Sequence, residues 1–87
     1  MATTVLRYWA AAREAAGAAQ EEVSAATLGE ALSAAVASRG PQGRKLAGVF
    51  ELSSYLVDGD PVGRRDPDSV RLAPGAVVEV LPPFAGG

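Results

Sequence analysis

Gly86 and Gly87, at the end of Leu81-Pro82-Pro83-Phe84-Ala85-Gly86-Gly87, are the residues whose type and placement best suit a chemical task. An apolar strand is halted there by two prolines and followed by an aromatic residue and a slender tail whose carboxylate can enter a site on another protein. Glycine lacks a Cβ, so two in succession make sense where a narrow channel must accept the chain. A frayed terminus has the same appearance, and an isolated Gly-Gly does not separate the two readings.

Little else in the chain is equipped for catalysis. Cysteine and histidine are both absent. That removes disulfides, iron-sulfur and thiolate-zinc ligation, cysteine nucleophiles, the usual general base near neutral pH and the Ser-His-Asp arrangement. The remaining serines and carboxylates have no evident activating partner, so an enzyme acting alone is not expected. Asp58 and Asp60 resemble metal ligands, but Asp58-Gly59-Asp60-Pro61 lacks the further oxygen ligands of a calcium loop and reads as a turn. No metal site is expected.

With 87 residues the chain makes one domain. Its net charge of −2 and dispersed Arg and Lys supply no basic stripe for nucleic acid. No apolar run is long enough to cross a bilayer, and Met1-Ala2-Thr3-Thr4 carries no charged leader, so a soluble cytoplasmic protein is expected. Apolar residues make up 48% of the chain, much of it alanine, leaving the core to a few larger side chains.

The elements that must position the tail follow from periodicity. Val5-Leu6-Arg7-Tyr8-Trp9 reads as a strand with Leu6 and Tyr8 on one face and Val5, Arg7 and Trp9 on the other. Arg7 marks the second face as wet, which leaves Trp9 either an edge-packed core residue or an exposed anchor for a partner. Ala10 to Ala16 suits a short helix stopped by Gly17, and Glu21-Glu22-Val23 a weak second strand. Thr27-Leu28-Gly29-Glu30 has the form of a capping box. Leu28, Ala31, Leu32, Ala35 and Val36 then give one apolar stripe, ended by Gly40 and Pro41.

Pro41 to Lys45 reads as a loop, and Leu46 to Leu52 as a helical or irregular packing segment or a strand, with Phe50 in the core. Ser53 to Val57 reads as a third strand, Pro61-Val62-Gly63 as a short return, and Ala76 to Leu81 as the last strand. There Ala76, Val78 and Val80 share one face, and Glu79 lies on the exposed one. These elements sum to an α+β fold, a four- or five-stranded mixed sheet against one main helix. Residues 1–81 form the domain, residues 82–87 the projecting tail, and the first and last strands pair at the centre.

With these segments in place, VLRYWAAAREAAG at 5–17, TLGEAL at 27–32, SSYLVDGDPV at 53–62 and LAPGAVVEVLPPFAGG at 72–87 resemble the MoaD/ThiS family of ubiquitin-like sulfur carriers, most closely its MoaD-type members. The resemblance covers nearly the whole length and implies a β-grasp fold. It also implies that Gly87 is adenylated by a MoeB-type enzyme using ATP and converted to a thiocarboxylate with a sulfurtransferase as sulfur source. The tail then enters a MoaE-type large subunit and donates sulfur to cyclic pyranopterin monophosphate.

Gly86, Ala85 and Phe84 become the channel-binding residues, and Trp9, Arg7 and Glu79 the partner interface. The carrier itself holds no cofactor, since positioning and charge stabilisation reside in its partners. The stretch between the helix and Ser53 departs from the MoaD pattern. Sulfur donation to thiamine or cysteine biosynthesis, and conjugation of Gly87 to a lysine as in ubiquitin-like modifiers, are the alternatives the tail allows.

Overall fold

The computed structural model describes residues 3–83. Its elements, in chain order, are β1 (Thr3–Tyr8), α1 (Ala10–Ala16), β2 (Gln20–Ser24), α2 (Leu28–Ala37), α3 (Gly43–Leu52), β3 (Ser54–Val57), β4 (Asp60–Pro61) and β5 (Val77–Leu81), with 3-10 turns at Gly40–Gln42 and Pro67–Ser69. The strands form one five-stranded sheet in the order β2-β1-β5-β3-β4. β1 and β5 run parallel, Val5 facing Val77 and Tyr8 facing Val80, while the other pairs are antiparallel. The first and last strands are therefore neighbours at the middle, as expected, in a β-grasp arrangement.

Alternation sorts the side chains between the two faces of the sheet. Leu6 and Tyr8 of β1, Val78 and Val80 of β5, and Ala76 just before it are buried, and they share one core with Ala12, Leu28, Ala31, Ala35, Leu46 and Phe50 of the helices. Thr4 is buried too, its hydroxyl donating to the Ala76 carbonyl at 2.7 Å. All three helices thus gather on the same face, leaving the face of Val5, Arg7, Val77, Glu79 and Leu81 without a helical cover.

The cap of α2 differs in detail from the expected box. Thr27 Oγ1 accepts from the Glu30 amide at 3.2 Å, but the Glu30 carboxylate takes the amide of Ala26 instead of that of Thr27. Thr27 itself sits in an isolated antiparallel bridge to Arg71. Gly40 closes the helix region at φ 57°, as its sequence position implies.

The one expected main helix has a companion of the same length. Pro41 to Lys45 is not a loop: Gly40–Gln42 forms a 3-10 turn and Gly43 opens α3, which continues through Leu52 and settles the ambiguous segment as helix. Gly43 explains why the signal was hidden. A Cβ there would lie 2.2 Å from the Val36 carbonyl oxygen, so the helix starts on a poor helix former because its backbone touches α2. Leu46, Val49 and Phe50 then face the core.

One polar node ties the helices to the sheet. Arg39 donates from Nε and Nη2 to the last carbonyl of α1, Ala16, at 3.1 and 2.9 Å, and from Nη1 to the Ala35 carbonyl of α2 at 2.7 Å. Its Nη2 also pairs with Glu21 of β2 at 2.8 Å, and Glu21 accepts the Tyr8 hydroxyl. Cations at helix C-termini offset the exposed carbonyl charge, and here a single guanidinium serves two helices.

Candidate functional site

Strand register brings the predicted interface residues to one end of the sheet. Leu81 faces Ser54, and the Trp9 amide donates to the Val80 carbonyl at 3.3 Å, so the ends of β1 and β5, the start of β3 and the end of α3 lie together. From this end the chain leaves through Pro82, half-buried, and Pro83, exposed. Two prolines in succession fix φ and offer no amide to a neighbouring strand, which is why β5 stops there. Phe84, Ala85, Gly86 and Gly87, the predicted channel-binding and reactive residues, lie outside the described residues.

Trp9 resolves to the exposed alternative, with 43% of its surface accessible. One ring contact and one backbone turn set its position. The Arg7 guanidinium lies 5.5 Å from the indole centroid, a cation-π contact across the two-residue repeat of the strand. The next residue, Ala10, adopts φ 49°, a left-handed conformation costing an L-residue about 1 kcal/mol, and it turns the chain at once from β1 into α1. Arg7 faces Glu79 across the parallel pair on the same side of the sheet; Arg7 is exposed and Glu79 half-buried. Val5, Val77, Leu56 and Leu81, all half-buried, give that face an apolar middle with one charge of each sign beside it.

The sequence reading did not single out Leu52 at this end. It is the last residue of α3 and 72% exposed. Only the pairing of Ser54 with Leu81 reveals that it stands beside the end of β5, so no local pattern could have marked it.

Among the described residues nothing assembles a catalytic centre. No group of three or more His, Cys, Asp or Glu could hold a metal ion. A groove of about 560 Å³ runs beside β3 and is lined by Phe50, Tyr55, Val62 and Arg64, but the Ser53 hydroxyl in its wall donates to the Val49 carbonyl at 2.7 Å. The Tyr55 hydroxyl donates to the Phe50 carbonyl at 2.6 Å, and burial pushes its pKa up to about 12. Burial, and after it the Glu21 carboxylate, drive the Tyr8 phenol far above its ordinary value. Both tyrosines stay protonated and serve structure. Asp58 is a turn residue: at φ 49°, followed by Gly59 at φ 86°, it links β3 to β4, and its Oδ1 accepts the Val77 amide at 2.9 Å. No helix among the described residues is long and apolar enough to cross a membrane.

Comparison with known proteins gives this end a context. The solution structure of small archaeal modifier protein 1 from Methanosarcina acetivorans superposes with a TM-score of 0.80 at 20% identity, covering 100% of this chain and 98% of the other. The crystal structure of the Haloferax volcanii protein of that name gives 0.76 at 24% identity, with 98% and 99% covered. A chain in the complex of subunits 1 and 2 of molybdopterin-converting factor from Helicobacter pylori gives 0.66 at 20% identity, with 98% and 99% covered. At these identities the likeness is one of fold. No curated protein matches the sequence. The family model described as ThiS family matches residues 6–87, a span that begins inside β1 and takes in the entire tail, and by that match the chain belongs to the ThiS family, in the MoaD/ThiS group of ubiquitin-like sulfur carriers.

Proposed function

We propose that this chain carries sulfur on Gly87 for molybdopterin synthesis. A Gly87 carboxylate oxygen attacks the α-phosphorus of ATP within a MoeB-type enzyme, expelling pyrophosphate. The outer sulfur of a sulfurtransferase persulfide then displaces AMP to form an acyl disulfide, and a thiol cleaves its S–S bond, leaving with the donor sulfur as a disulfide and freeing the thiocarboxylate. The tail then enters a MoaE-type large subunit, where Gly86 and Ala85 fit the channel and the sulfur passes to cyclic pyranopterin monophosphate. Every acid, base and charge-stabilising group belongs to the partners, and this chain supplies only the Gly87 carboxyl group that is activated, which accords with a chain that has no His and no Cys. Chemistry of this kind takes place in the cytoplasm.

The observation that carries this reading is the family match running through Gly87, joined to a sheet whose uncovered face ends at the tail. Fold likeness to a chain of the Helicobacter pylori complex, together with the Pro82-Pro83-Phe84 approach, favours the molybdopterin acceptor over thiamine or cysteine biosynthesis. Trp9 and Phe84 serve as apolar anchors in the docking, with Arg7 and Glu79 orienting the contact.

Intact-mass measurement after incubation with a MoeB-type enzyme, ATP and a sulfur donor is expected to show oxygen replaced by sulfur. Adding the large subunit and cyclic pyranopterin monophosphate should consume that species and form the dithiolene. An active MoeB-type enzyme that leaves the mass unchanged defeats the carrier reading. The archaeal modifier structures favour one second reading, conjugation of Gly87 to protein lysines. Isopeptide-linked Gly87 in cells, without thiocarboxylate, would put that reading first.

A further inference from the structure

Gly87 lies four residues beyond Pro83. Fully extended, such a segment reaches at most about 14 Å. An enzyme that takes the Gly87 carboxylate into a water-excluding site must therefore bring the mouth of that site down onto the end of the domain from which Pro83 emerges. The rim of this exit is an interface by reach alone, and its side chains decide how well the mouth seats.

Among the described residues the rim holds both of the large apolar side chains that are exposed, Trp9 at the end of β1 and Leu52 at the end of α3. They flank β5 from opposite sides: Trp9 bonds to Val80, and Leu52 precedes the strand whose Ser54 faces Leu81. A lone exposed leucine is ordinary on a protein surface; its place at the exit sets this one apart. The fold makes no use of it, since α3 packs through Gly43, Leu46 and Phe50. Its backbone is nonetheless held firmly, because the Ser53 hydroxyl donates to the Val49 carbonyl, and the Ser53 amide and the Tyr55 hydroxyl both donate to the Phe50 carbonyl. Docking at this position therefore orders only the side chain, with no backbone ordering to offset.

We infer that Leu52 is a second apolar anchor, across the exit from Trp9, for the enzymes that receive the tail, and that those enzymes carry an apolar recess on each side of their channel mouth. The inference rests on the proposed carrier role. It adds a contact on the α3 side of the molecule to the one expected from the uncovered sheet face.

The test compares the full chain with its Leu52→Ser and Leu52→Met variants as substrates of a MoeB-type enzyme, reading KM and kcat for sulfur loading, with thermal melting of each free chain. Removing the leucine from a desolvated contact should raise KM roughly five- to tenfold. The kcat and the melting temperature should be unchanged, and Leu52→Met should keep the wild-type KM. Equal KM values for wild type and Leu52→Ser overturn this inference alone. A wild-type chain that an active enzyme never loads overturns the carrier role and this inference with it.

Discussion

The Arg39 node and the tail exit sit on one small domain and follow opposite rules. At the node every polar group has a partner: one guanidinium closes two helices and pairs with Glu21, which in turn takes the Tyr8 hydroxyl. At the exit, large apolar side chains are left in water and an alanine is held at positive φ. Folding free energy favours the first arrangement and is lowered by the second. The contrast teaches where to look for function in this domain: the place where satisfied packing gives way to large apolar side chains left in water.

Four experiments can break or sharpen this contrast. The largest effect belongs to the tail. Deleting Gly86 and Gly87 should abolish sulfur loading completely while leaving the melting temperature of the domain unchanged, and residual loading in the mass spectrum would undo the assignment of Gly87. Next comes the node. Arg39→Ala leaves helix carbonyls and the Glu21 carboxylate without their partner and should cost about 2–3 kcal/mol in denaturant unfolding. The folded fraction should still load sulfur at the wild-type rate; a loss of loading in fully folded protein would show that the two regions are not independent.

Trp9→Ala should do the reverse, weakening binding to the large subunit about tenfold with a melting temperature close to wild type. A large drop in stability would make Trp9 a core residue after all. The smallest effect is a pH dependence. Tyr55 has a folded pKa raised to about 12 from an ordinary 10.0. Its contribution to stability is therefore complete below pH 10 and lost as pH rises through 12. Unfolding free energy measured across that window should fall less steeply for Tyr55→Phe than for wild type, and equal slopes would contradict the buried, protonated phenol.

Much of this was readable from residue order, and for physical reasons. Alternation in Val5 to Trp9 and in Ala76 to Leu81 assigned both faces of the central pair, because a strand with one buried face cannot hide its period. α2 was legible through its cap and stripe. α3 was not, because Pro41, Gly43 and Gly48 weaken the local helix signal and Leu52 breaks the apolar spacing of Leu46, Val49 and Phe50. Of these, Gly43 has a tertiary cause, since a Cβ there would meet the Val36 carbonyl, whereas a Cβ at Gly48 would meet nothing. At the candidate site, the outward placement of Arg7 and Glu79 was legible from strand alternation, while Trp9 was open between two readings until its exposure was seen. The Arg39 node and Leu52 were not legible, since each depends on contacts between elements far apart in sequence.

The central position of β5 has a mechanical consequence. An enzyme that grips Gly87 and draws the tail inward pulls along the axis of a strand hydrogen-bonded to β1 on one side and β3 on the other. The load falls on both ladders in shear, so many bonds must yield together before the strand can slip, and unfolding under such a pull is set by a rate and not by the equilibrium stability. A pull on the end of β5 would thus be borne by the middle of the sheet before any part of the domain came undone.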